Sequence, residues 1–143
     1  MIELIHTYSR ADAINDGVLR DASSIAAGFK IRHPVAFTEA AWLTYAEFDR
    51  EAMEGQGQSV AGRVCDILTM FVAAARASGG ESNITFTTLI AMPDRGDWKS
   101  NEAPPPRGCG VTRETHRLVT LRAVCGPGDD PRPVITIMMP DED

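Results

Sequence analysis

The chain has 143 residues, 43% of them hydrophobic and 24% charged, and its 14 basic and 20 acidic residues give a net charge of −6. This size and composition predict one folded domain with a core of its own, and they exclude a disordered chain. The acidic balance disfavours direct nucleic-acid binding, which needs a concentrated Lys/Arg surface; it fits solubility alone or a host protein partner with a basic surface.

The sequence lacks segments typical of export or membrane insertion. No basic region followed by an apolar run opens the chain, and no window approaches the ~20 apolar residues of a membrane span. Cys65, Cys109 and Cys125 are odd in number and form no C-x-x-C, and the histidines show no zinc spacing. We therefore expect a reduced, cytoplasmic protein without a metal or other cofactor and without membrane contact.

The first forty residues predict short elements. Residues 10–15 form a short helix after the candidate N-cap Ser9, and residues 24–27 form another after the candidate N-cap Ser23. The stretch FKIRHPVAF (29–37) is predicted to be extended or irregular, because its proline disfavours helix in the preceding residue.

Two longer helices follow. The segment TEAAWLTYAEFDREAM (38–53) begins at the N-cap Thr38 and repeats its apolar side chains at spacings of three and four. The strongest amphipathic pattern in the chain lies between the N-cap Ser59 and the C-terminal stop Gly79. Each apolar stripe predicts a helix that packs against a core.

The second half changes to strand patterns. Residues 83–92 and 134–140 predict strands, and residues 116–126 carry apolar groups on both faces, as in a central strand. The last two strands form a hairpin, and proline and glycine in 93–114 predict a long loop. Because helices precede strands, we expect a single α+β domain over 1–143, with two longer and two short helices packed on one face of a small antiparallel sheet of about three strands.

No catalytic constellation is recognisable, which favours a protein that is not an enzyme. The cysteine of GCG (108–110) lacks a neighbouring base, and GQGQSVAG (55–62) lacks the Lys-Ser/Thr of a phosphate loop. The pair Asp129 and Asp130 fits a hairpin turn better than a metal site. Trp98 lies in the polar loop, where an aromatic side chain either pins the loop to the domain or contacts a partner.

The segment TYSRADAINDGVLRD (7–21) concentrates charge near the start of the chain. Its side chains form either a charged knot that fixes the chain end or a polar patch that faces a ligand or partner. The candidate binding residues of the chain are Tyr8, Arg10, Asp12, Asp16, Asp21, Trp98, Asp129 and Asp130.

The segments YSRADAINDGVLRD (8–21) and RLVTLRAVCGPGDDPRPVITIMMPDED (117–143) resemble the two ends of a family of small proteins of bacteria, plasmids and phages. The family pattern is near Y-[ST]-R-A-x-A-[IL]-x-D-G-x-L-x-D, with a G-P-G-D-D turn in the closing hairpin. Residues 97–110 and Arg20 depart from that pattern. The family has no established activity, so the resemblance implies only a context, that of accessory proteins of mobile elements.

The sequence leaves three functions open. The first is a non-catalytic accessory protein of a mobile genetic element, which binds and inhibits or sequesters a host component, as an anti-defence or anti-CRISPR-type inhibitor would. The second is a binder of a small anionic, nucleotide-like ligand in a pocket of Tyr8, Arg10 and the Asp16 turn beside Trp42. The third is a metal-dependent hydrolase, which requires the aspartates of the closing turn to converge with those of the opening segment.

Overall fold

The computed structural model describes residues 8–47, 55, 57–92, 96 and 98–142 of the chain. The helices are α1 (Arg10–Asp16), α2 (Ser23–Ala27), α3 (Glu39–Ala41), which continues into a π-helical turn (Trp42–Ala46), and α4 (Val60–Ser78). The strands are β1 (Leu19–Asp21), β2 (Val35–Thr38), β3 (Asn83–Ala91), β4 (Glu102–Ala103), β5 (His116–Pro127) and β6 (Pro133–Met138).

The strands form one six-stranded mixed sheet in the order β1-β2-β6-β5-β3, with β4 also bonded to β5. β2 and β6 are parallel, with Val35 opposite Ile135, and the other paired strands of the described chain are antiparallel. The prediction of a small antiparallel sheet of about three strands with helices packed on one face is therefore wrong. Its hairpin of β5 and β6 is confirmed, and the structure pairs β3 antiparallel with β5.

The additional strands give little local signal in the sequence. β1 has three residues within the charged opening segment, and β4 has two residues within the predicted loop 93–114. β2 follows Pro34 in the stretch predicted to be extended or irregular, and its partner β6 lies at the other end of the chain. Such pairing depends on tertiary context, which propensity and periodicity do not report.

The core lies between α4 and the sheet. α4 begins after Ser59, whose side chain accepts a hydrogen bond from the Gly62 N–H at 3.0 Å, and it ends at Gly79 with φ 72°, as predicted. Its buried face includes Phe71, which packs edge-on against Phe86 of β3 with ring centroids 5.9 Å apart. Within the described residues, no helix is both long and apolar enough to cross a membrane.

Two of the other predicted helix starts, Thr38 and Ser23, have different outcomes. Thr38 caps α3 by accepting a hydrogen bond from the Ala41 N–H at 3.3 Å, as predicted, but the helix then widens into the π-helical turn. The rest of the predicted helix, residues 48–53, lies outside the described residues. Ser23 is not an N-cap but the first residue of α2, and its hydroxyl instead donates to Asp21 at 2.6 Å and accepts from the Val35 N–H at 3.0 Å.

Candidate functional site

The opening segment folds as a short helix with a capping box. The Ser9 Oγ accepts a hydrogen bond from the Asp12 N–H at 2.9 Å, and the Asp12 carboxylate accepts one from the Ser9 N–H at 3.2 Å. Gly17, with φ 81°, ends α1. Ser9 is the N-cap that the sequence predicts, and α1 extends one residue beyond the predicted 10–15.

The closing turn binds this helix through Asp129. Its Oδ1 accepts the Arg10 N–H at 2.6 Å, and its Oδ2 accepts the Ala11 N–H at 3.0 Å. The Arg10 guanidinium donates in return to Thr136 Oγ1 at 2.7 Å and to the Ile135 carbonyl at 2.9 Å. Burial lowers the pKa of Arg10, and the charges of Asp21 and Asp129 oppose that shift. The two sequence motifs at the ends of the chain therefore meet in the fold.

The remaining acidic candidates of this region also have partners within the chain. Tyr8 donates to Asp16 at 2.8 Å, and this hydrogen bond raises the pKa of Tyr8. Asp21 accepts from Ser23, as described above. Asp130 pairs with the exposed Arg132 at 2.6 Å, and its hydrogen bonds from Arg132 lower the pKa of Asp130 to about 2. These contacts fix the two chain ends.

Trp98 is half-buried and packs against the core cluster. The Arg117 guanidinium lies 3.7 Å from the centroid of its ring, and Arg117 itself is only 3% exposed. A cation–π contact removed from water stabilises by about 2 kcal/mol, so the pair holds this part of the loop on the sheet. A contact between Trp98 and a partner remains a prediction.

A buried polar network that the sequence patterns do not reveal lies at the N-terminal end of α4. Arg63, 2% exposed, donates to the carbonyls of Tyr45 and Ala91 at 2.5 Å each. The Tyr45 hydroxyl donates to Glu102 at 2.8 Å and accepts from the Asn101 side chain at 2.8 Å. Burial lowers the pKa of Arg63 to about 10, so it stays charged at neutral pH. The network joins the π-helical turn, β3 and β4.

A concave surface with cationic walls lies beside the contact between the chain ends, and we call it the basic groove. It has a volume of about 620 Å³. Its two acidic residues already have cationic or N–H partners: Asp129 binds the start of α1 and Asp130 binds Arg132. The side chains that define its character are Arg10, Arg32, His33 and Arg132, with Ile14, Pro34, Pro133 and Val134 as apolar walls.

Arg32 distinguishes this groove from the other charged clusters. Its side chain is exposed and makes no hydrogen bond or ion pair with any residue in the described part of the chain. An arginine fork without a partner, held in a concavity, is available to a carboxylate or phosphate.

The entire chain, residues 1–143, matches the model of a family of unknown function, DUF6573. The chain belongs to this family. No curated protein and no solved structure gives a significant match. Like the sequence resemblance, this match extends to both ends of the chain and carries no assigned activity. The function of this DUF6573 chain therefore has to be argued from its own residues.

The groove residues of this DUF6573 chain were only partly predicted. Arg10, Asp129 and Asp130 were candidates, whereas Arg32, His33 and Arg132 were not. The sequence predicts the segment FKIRH (29–33) only as extended or irregular. Its alternation of apolar Phe29 and Ile31 with basic residues was the signal for a segment that buries one side and exposes cations on the other.

The described residues contain no group of three or more His, Cys, Asp or Glu side chains that could hold a metal ion. The carboxylates that the hydrolase hypothesis requires bind other groups of the chain instead: Asp12 belongs to the capping box of α1, Asp16 accepts from Tyr8, and Asp129 and Asp130 bind α1 and Arg132. The three cysteines are free thiols.

Proposed function

We propose that this protein is a non-catalytic binding protein whose ligand is a small anionic molecule of nucleotide-like size, held in the basic groove. The observation that carries the proposal is Arg32, an exposed guanidinium without a partner among the described residues, on the wall of a concavity in a chain of net charge −6. The volume of about 620 Å³ falls within the range typical of small-molecule sites.

The groove offers a suitable surface to the anionic group of such a ligand and to its ring. The Arg32 fork matches the geometry of a phosphate or carboxylate, whereas Arg132 is already paired with Asp130 and the Arg10 guanidinium donates within the chain. Pro34, Pro133 and Val134 provide apolar contact for a ring. The pocket differs from the one that the sequence suggested, because Trp42 packs edge-on against Phe37 and does not line the groove.

The test is calorimetric titration with ADP and with inorganic phosphate. Arg32→Ala should weaken ADP binding by about ten- to hundredfold, the loss expected for hydrogen bonds to a charged group. Arg113→Ala is the matched control, because Arg113 is exposed but does not line the groove. Equal affinity of the wild type and Arg32→Ala, or no ADP binding by the wild type, would refute the proposal.

A second candidate function is that of an accessory protein of a mobile genetic element that inhibits a host component. The observation that favours it is a set of large apolar side chains exposed near the start of the chain: Tyr8 is 52%, Ile14 36% and Val18 47% exposed. Exposed apolar groups with a polar surround are typical of protein contacts.

The test of this candidate is capture of partners from a lysate of the host at low and at high salt. Val18→Asp should abolish capture of a specific protein without loss of folding, and Leu43→Asp, at a similarly exposed apolar residue elsewhere, should not. A partner lost only at high salt would support nucleic-acid mimicry, and a salt-independent partner would exclude that version.

A further inference from the structure

A second concavity, the apolar groove, opens on the other side of the loop that carries Arg32. It lies between this loop, α4 and β6, and it has a volume of about 370 Å³. Phe71 and Ile135 are buried at its floor, at 5% and 6% exposure, and the others are half-buried. The apolar residues that line it are Phe29, Ile31, Phe71, Val72, Ala75 and Ile135.

Three cations and one histidine border this apolar floor. Lys30, Arg32, His33 and Arg76 line the same groove, and all four side chains are exposed. Within the described chain, none of these side chains makes a hydrogen bond or an ion pair, and no acidic residue lines the groove with them. The charge complement of this rim is therefore an anion, and the complement of its floor is a hydrocarbon or aromatic group.

The two grooves share a boundary. Arg32 and His33 line both, so an anionic group bound at Arg32 lies at the mouth of the apolar groove. The apolar surface continues from Phe71, Ala75 and Ile135 into a smaller cavity of about 200 Å³, which Ile84, Ala123 and Cys125 also line. A ligand that leaves Arg32 in this direction meets mainly apolar side chains, and the polar side chains of the smaller cavity are Ser78 and Glu81.

We infer that the ligand is an amphiphilic anion, with a carboxylate or phosphate head at Arg32 and an aliphatic or aromatic body in the apolar groove. This inference rests on the proposed function, because the head group uses the same arginine. It differs from the proposed function in one respect, because it places the body of the ligand in the apolar groove and not against Pro133 and Val134 of the basic groove. A single small molecule fits better than an extended polymer, because the apolar surface ends in the smaller cavity between α4 and the sheet.

The experiment compares butyl, hexyl and octyl phosphate as monomers below their micelle concentrations, by calorimetry with the full chain. Affinity should rise by about fourfold for each added methylene that the groove buries. Arg32→Ala should weaken all three by a similar factor, because it removes a contact to the shared head group.

Ala75→Phe, which fills the apolar groove, should abolish the dependence on chain length and leave inorganic phosphate binding unchanged. Ala73→Phe is the matched control, since Ala73 lies on the exposed side of α4 and should keep that dependence. Val72→Ala, which shortens a floor side chain without adding bulk, tests the same point if Ala75→Phe does not fold; it should weaken octyl phosphate more than butyl phosphate.

The outcomes separate the two proposals. ADP binding combined with equal affinity for butyl and octyl phosphate would overturn this inference and leave the proposed function standing. Binding of octanol as tightly as octyl phosphate, with no ADP binding, would overturn the anionic site and with it both proposals. Binding only to vesicles or micelles of the octyl compound would also overturn the inference, because the site described is for a monomer.

Discussion

The attachment of the opening helix to the closing turn depends on Asp129. Asp129→Ala removes the acceptors of the Arg10 and Ala11 N–H groups, at 2.6 and 3.0 Å, and a negative charge beside the start of α1. Hydrogen bonds to a charged group stabilise a fold more when they are shielded from water than when they are exposed. The Asp129 carboxylate is exposed, so water can replace it as the acceptor. We therefore expect a loss in the free energy of unfolding of about 1–2 kcal/mol, as for the loss of an N-cap.

Urea denaturation measures this loss directly. The midpoint should fall while the slope stays constant, since the surface exposed on unfolding does not change. Thermal unfolding should show a decrease of roughly 3–6 °C. Asp129→Asn, which keeps one acceptor, should fall between Asp129→Ala and the wild type.

Asp130→Ala is the matched control at the adjacent position. Asp130 is exposed and pairs with the exposed Arg132, where solvent weakens the ion pair, so its loss should destabilise less than the loss of Asp129. Equal destabilisation by the two substitutions, or none by Asp129→Ala, would refute the assignment of Asp129 as the link between the chain ends.

Two further predictions concern Lys30 and Asp130. Lys30 follows α2 with φ 60° and donates its N–H to the Ala27 carbonyl at 3.0 Å. Because glycine adopts this left-handed conformation without strain, Lys30→Gly should raise the free energy of unfolding in urea melts by about 1 kcal/mol, and destabilisation would contradict this. The same substitution removes a cation and should weaken octyl phosphate binding. The pKa of Asp130 is about 2 in the folded chain and 3.8 as the ordinary value. Its contribution to stability should therefore be complete above pH ~4 and be lost as the pH falls towards 2. Asp130→Asn should flatten that part of the stability curve, and an unchanged curve would refute the contact.

Local patterns predicted those elements whose signals are local. α4 carries an apolar stripe along its nineteen residues, and residues 116–126 carry apolar groups on both faces, so the types and approximate limits of α4 and β5 were correct. β2 is different, because its four residues form a strand through antiparallel pairing with β1 and parallel pairing with β6. The predicted number of strands was therefore too low, because β1 and β2, which extend the sheet beyond β6, were not predicted.

The candidate site shows the same distinction between local and tertiary information. The capping residue Ser9 and the turn at Asp129 were recognisable from local chemistry, and Asp129 binds the first N–H groups of the helix that Ser9 caps. The exposure of Arg32 over two grooves depends on how residues 29–33 lie between α4 and the closing turn. The alternation in residues 29–33 indicates that their cations are exposed, but it does not indicate which part of the fold they lie against.

Net charge and local charge also lead to different expectations for binding. The whole chain carries −6, which repels an approaching anion at long range, whereas Lys30, Arg32 and Arg76 line a groove without an acidic neighbour in its wall. Salt screens the long-range repulsion over a Debye length of about 10 Å at 0.1 M and weakens the short contact at Arg32 as well. Because these effects oppose each other, the affinity for octyl phosphate should vary little with salt. Proteins that neutralise many phosphates show the opposite behaviour, a steep loss of affinity with salt, so a shallow dependence is the expected signature of a single anionic head in a locally basic groove.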